Sequence, residues 1–134
     1  MSESNTERTS SAAVQKAQGT ARMVNITRNR VLASNLVVAD TSSTRRRGLL
    51  GRTSMEPGEG LWIRPCESVH CFGMKFTIDV LYLDRKLRVR KIRSSMKPWR
   101  ISACLVAHSV LELPEGVLRE TGTQVGDEIQ FESL

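Results

Sequence analysis

The chain has 134 residues and a formal net charge of +6, with 40% hydrophobic and 25% charged residues, which suffices for one modest core and one domain. Aromatic residues make up only 4% (Trp62, Trp99, Tyr82, Phe72, Phe76 and Phe131), which argues against a platform for stacking bases. No apolar run approaches the ~18 residues of a membrane helix, and charge is uneven: residues 1–100 carry a net +11, residues 101–134 a net −5.

Residues 1–22 are rich in Ser, Thr, Ala, Gln and Glu, lack apolar periodicity and are expected to form a disordered N-terminal tail without the apolar stretch of a secretory signal. The folded domain is expected over residues 23–134. Val24 and Ile26, then Val31-Leu32-Ala33 and Leu36-Val37-Val38-Ala39, predict two or three short strands joined at Asn29 and Asn35. Asp40 to Thr44 offers N-cap chemistry for a short helix over Arg45 to Leu50, closed by Gly51. A loop from Met55 to Gly60 leads into a strand at Leu61-Trp62-Ile63, stopped by Pro65, and Val69 to Phe72 predicts another.

Ile78 to Asp84 is the strongest strand signal, apolar enough to be covered on both faces. Arg85-Lys86 turns it into a return strand over Leu87 to Ile92. Short strands are expected at Ala103 to Ala107 and Val110 to Leu113. Pro114 and Gly122 bracket a second helix, Glu115 to Thr121, and Glu128 to Phe131 forms the last strand. Many short strands with two brief helices predict a mainly β fold, a sandwich or barrel.

The succession Val37-Val38-Ala39-Asp40, Arg45-x-x-Gly48-Leu49-Leu50-Gly51-Arg52, His70-x-Phe72-Gly73-Met74-Lys75-Phe76-x-Ile78-Asp79-Val80, Val110-Leu111-Glu112-Leu113 and Gly126-Asp127 resembles the DUF192 family, also called UPF0127. The resemblance runs from about Val37 to Phe131, and Gly73 stands where the commoner family form has a tryptophan. It implies a compact β-sandwich of jelly-roll type and carries no established activity.

Asp79 is the most telling polar residue, because its strand neighbours are apolar and a buried carboxylate must be paired or hydrogen-bonded. Either backbone N–H groups or an arginine hold it at a sheet corner, or it faces a pocket. His70, one strand earlier, could form an acid–base pair with it. No serine elbow accompanies the pair, and Cys71 would point to the opposite face from His70. Arg52 could pair with Asp40 or Asp79.

Arg45-Arg46-Arg47 would oppose the helix dipole at a helix start. Cys66, His70 and Cys71 lack a second metal-ligand pair, with Cys104 and His108 far away, so no metal and no cofactor are expected. Three cysteines do not close a disulfide framework, which suits a reducing cytoplasm.

The leading expectation is a non-enzymatic or accessory binding module for a small ligand or protein, with Arg52, His70, Lys75 and Asp79 as binding residues and no catalytic residue assigned. A hydrolase using His70 and Asp79 is one alternative. The other is weak nucleic-acid or anionic-surface binding by the basic residues of 85–100, among which Lys86, Arg88 and Arg90 share a face. Nucleic acid is disfavoured, because cations on an outer strand also guard it against edge pairing.

Overall fold

The computed structural model describes residues 21–70 and 74–133, with Val69 and His70 described by their backbone. Among these residues the order is β1 (Ala21–Asn25), β2 (Arg30–Ala33), β3 (Asn35–Ala39), α1 (Ser42–Arg47), β4 (Glu59–Ile63), β5 (Ser68–His70), β6 (Ile78–Leu83), β7 (Val89–Met96), β8 (Ile101–Ala103), β9 (Ser109–Pro114), α2 (Val117–Thr121) and β10 (Ile129–Ser133). The fold is mainly β, as the strand pattern predicts. Of the segment expected as a tail, Ala21 and Arg22 lie in β1, and residues 1–20 lie outside the described residues.

The strands form a three-stranded sheet β10-β1-β2, a five-stranded sheet β3-β4-β9-β6-β7 and a two-stranded ribbon β5-β8. Alternation along the central strands decides what lies between them. Leu81 stands opposite Leu111 and Asp79 opposite Leu113, so Leu81, Leu83, Leu111, Leu113 and Trp62 share one face. That face packs on Met23, Leu32, Ala33 and Ile129 of the three-stranded sheet. Val80, Tyr82, Val110, Leu61 and Ile63 occupy the other face, where Leu49, Met74 and Met96 join them and Cys66 and Cys104 pack alongside. Both faces are therefore covered, which is why all six residues of β6 are buried.

Several local features differ from the sequence expectation. α1 starts three residues earlier than predicted. Thr41 is its N-cap, the Thr41 and Thr44 side chains close a capping box, and Gly48 (φ 47°) is its C-cap. The arginine triplet consequently lies in the last turn, where the helix carbonyls favour cations. Pro114 ends β9 and Gly116, not Pro114, begins α2. The apolar stretch Ala103 to Ala107 is not a strand: β8 stops at Ala103, and Leu105 and Val106 sit in an exposed turn.

Two acids of the C-terminal segment form ion pairs with N-terminal arginines, and Glu128 also forms an isolated β-bridge with Arg88 of the basic middle. Arg22 meets Glu132 at 2.7 Å, and Arg28 meets Asp127 at 2.9 Å. Gly60 marks where β4 passes closest to the other layer: a Cβ there would lie 2.6 Å from that of Ala33. β7 is an edge strand and carries exposed Arg90, a charge that discourages edge-to-edge pairing.

Candidate functional site

Asp79 is fully buried on the face that meets the three-stranded sheet. Its Oδ1 accepts the Ser95 N–H at 2.9 Å, and its Oδ2 accepts those of Gly116 at 3.1 Å and Leu118 at 3.0 Å. Ser95 has φ 53°, at the irregularity where the β6–β7 register shifts, so the bulge aims its N–H inward. Gly116, with φ 98°, opens α2 but has no side chain to cap it. Asp79 supplies that cap from β6, and three charge-assisted backbone bonds replace its water. The carboxylate is a joint between β7 and α2, with both oxygens engaged by backbone N–H groups.

Among the described residues, neither Arg52 nor Lys75 hydrogen-bonds it. Arg52 pairs with neither Asp40 nor Asp79. Its Nη2 donates to Glu59 Oε1 at 2.7 Å and to the Ser54 carbonyl at 3.0 Å, tying the loop before β4. Lys75 is exposed beside buried Met74. The His70 backbone lies in β5, opposite Ile101 of β8, and its side chain lies outside the described residues. Within the basic 85–100 stretch, Arg90 pairs with Asp84 at 3.3 Å and the Lys91 ammonium donates to the Ala103 carbonyl at 2.7 Å.

A different carboxylate occupies a cleft. Glu112 lies on the second face of β9, opposite Leu61 of β4 and Val80 of β6. It is 4% exposed, and no described residue hydrogen-bonds its carboxyl group. It forms part of a cleft of about 380 Å³ lined also by Arg45, Arg46 and Arg47 of α1, by Leu49, Ile63 and Met74, and by Cys66 and Ser68. Burial among apolar neighbours pushes the acid up to about 7, so near neutrality it is divided between its neutral and charged forms.

Of the arginines, Arg45 donates to the Asp40 carbonyl at 3.2 Å, whereas Arg46 and Arg47 make no ion pair among the described residues. The cleft therefore combines cations with a buried acid that can donate a hydrogen bond when neutral and accept one when charged.

Its remaining polar groups do not favour covalent chemistry. The Cys66 thiol donates to the Ser68 carbonyl at 3.0 Å, and burial pushes its pKa up, away from the reactive thiolate. Tyr82 is fully buried on the same face, and burial raises its pKa as well. A second cleft of about 270 Å³ lies across the Gly48–Leu50 segment, lined mainly by β3 and β4 residues and by Arg52 and Met55.

Glu112 escapes a sequence reading because a lone acid in an apolar strand looks like an outward-facing position. The signal that identifies it is the sheet order, which puts β9 in the middle with both neighbours apolar at that level.

The DUF192 family model, described as "Uncharacterized ACR", matches residues 11–131. A UPF0127 protein from Thermococcus sibiricus is 31% identical over 116 residues, covering 82% of this chain and 74% of the relative. A crystal structure of a protein of unknown function from Novosphingobium aromaticivorans is similar with a TM-score of 0.69 at 22% identity, covering 83% of each chain. That of a candidate transcription regulator from Sinorhizobium meliloti gives 0.72 at 22% identity, covering 83% of this chain and 91% of the other. At such identities the two structures speak for the fold alone.

Proposed function

Because the chain belongs to the DUF192 family, and because its central sheet sets an acid with no hydrogen-bond partner among the described residues in a cleft bordered by arginines, we propose that it is a small accessory binding module whose site is the cleft beneath α1. Its ligand is a small anion that also carries a hydroxyl or amide. The anionic end lies on Arg46 and Arg47, and the neutral polar end meets Glu112. The observation that supports this most directly is the Glu112 carboxyl itself: an acid set among apolar residues with no hydrogen-bond partner among the described residues costs about 1–3 kcal/mol, and a ligand that bonds it would relieve that cost.

Arginine fits the anionic end because its planar fork matches carboxylate and phosphate oxygens in pairs. A binding role also suits a site without an activated nucleophile. A reducing cytoplasm is the compartment this function assumes, in keeping with the free thiols of Cys66 and Cys104. No helix among the described residues is long and apolar enough to cross a membrane.

The test is a chemical-shift titration of the full chain against a panel of small phosphorylated and carboxylated hydroxy compounds. Shifts should gather at Arg45 to Leu49, Cys66 and Glu112, and Arg46→Ala with Arg47→Ala should abolish them in a folded protein. Binding that moves other residues, or that ignores both arginines, rejects the site.

A further inference from the structure

At the far end of β6 from Asp79, two turns stand side by side. The turn after β8 ends with the Ala107 N–H donating to the Cys104 carbonyl at 2.9 Å, and its tip is Leu105 and Val106. These side chains are 82% and 56% exposed. Turn tips ordinarily carry Gly, Asn, Asp or Ser, so two aliphatic residues projecting into water are unexplained by the turn itself. The neighbouring turn after β6 carries exposed Arg85 and Lys86, and neither forms an ion pair among the described residues.

The His108 N–H bonds the Leu83 carbonyl at 2.8 Å and ties the two turns together; they line one shared open concavity. Of the acids near this end, Asp84 is already engaged, accepting the Lys86 and Arg88 N–H groups at 2.9 and 3.0 Å and pairing with Arg90, while exposed Glu67, whose carbonyl accepts the Cys104 N–H at 2.9 Å, stands at the base of the Leu105–Val106 turn.

We propose that this end of the sandwich docks on an anionic lipid surface. Leu105 and Val106 enter the boundary between headgroups and acyl chains, while Arg85 and Lys86 lie against lipid phosphates. The charge complementarity is specific to that occupant, because the aliphatic tip gains from the acyl boundary what the flanking cations gain from the headgroups. A nucleic acid would use the cations and leave Leu105 and Val106 in water. The patch is small, so attachment is reversible and depends on the anionic lipid. It is independent of the Glu112 cleft, which opens beneath α1.

The experiment is co-sedimentation of the full chain with vesicles of phosphatidylcholine alone and of phosphatidylcholine mixed with phosphatidylglycerol, at low and high salt. The expected result is binding to the anionic vesicles only, suppressed by salt. Leu105→Ser with Val106→Ser, and separately Arg85→Ser with Lys86→Ser, should each weaken it at least about fivefold. Both pairs are exposed turn positions, and a thermal melt verifies that the fold survives. No binding to anionic vesicles overturns the proposal, as does binding indifferent to Leu105 and Val106. A dimer in solution that Leu105→Ser dissolves, without vesicle binding, reassigns the surface to self-association and overturns it too.

Discussion

The Asp79 carboxylate of β6 meets the backbone N–H of Leu118 in α2 at 3.0 Å, across 39 positions of sequence. With the Ser95 and Gly116 bonds it fastens the edge strand and the second helix to one oxygen pair. Asp79→Asn keeps an acceptor but turns an amide donor against at least one of these N–H groups. We expect it to lose about 2–4 kcal/mol of stability, and Asp79→Ala to lose at least as much. Urea unfolding followed by circular dichroism measures this, and a loss below about 1 kcal/mol would show that the joint is dispensable.

Gly60 tests the closeness of the two layers. An added Cβ would sit 2.6 Å from the Ala33 Cβ and 3.3 Å from side-chain carbons of Leu36 and Leu113, all in the packed core. Gly60→Ala should cost about 1–3 kcal/mol through overpacking, and Gly60→Val more. A thermal melt of the alanine variant that matches the parent would contradict the packing described.

Glu112 makes a prediction in pH. Its folded value of about 7 lies above the ordinary 4.5, so the folded chain holds a proton that the unfolded chain has released. Stability therefore falls as pH rises from about 4.5 through 7 and levels off above that, by roughly 3 kcal/mol in total for this group. Glu112→Gln does not titrate. Its stability relative to the parent should climb between pH 5 and pH 8, read by urea unfolding at both. Parallel pH slopes for the two proteins would count against a desolvated acid at this position.

Asp127 acts with the opposite sign. Arg28 grips both of its oxygens, at 2.9 and 3.1 Å, and the Asn25 side chain and Gln124 N–H add bonds of 2.9 Å each. The Arg28 hydrogen bonds, ahead of those from Asn25 and Gln124, hold its pKa down at about 2, against an ordinary 3.8. Its contribution is complete above pH 3.8 and is lost as pH falls through 2. Asp127→Asn should lower stability at pH 7 by about 1–2 kcal/mol, with the gap closing below pH 3 in an acid titration followed by fluorescence.

Much of this architecture was legible because strand parity is a local property. Ile78 to Leu83 announces a strand covered on both sides, and an acid at position 79 then requires internal partners. Nothing local said those partners would be the Ser95 bulge and the start of α2, since both arrive through tertiary pairing. The start of α1 is set by the Thr41–Thr44 capping box and its end by Gly48, so the helix lies three residues earlier than the Arg45 to Leu50 pattern alone predicts. Leu105 and Val106 carry strand-forming side chains, yet the chain must reverse there to bring Ser109 opposite Leu83. Glu112 was hidden for a topological reason: its environment is made by β4 and β6, which the sequence does not reveal as its neighbours.

β3 and β4 run in the same direction, in register from Asn35 with Glu59 to Ala39 with Ile63. A same-direction neighbour cannot be reached by a hairpin, so residues 40–58 must travel back along the sheet before pairing resumes. That obligatory return path is also a wall of the Glu112 cleft. Insertions and exchanges within it can reshape what the cleft admits while the hydrogen-bonded frame stays intact, giving the scaffold a built-in place to diversify.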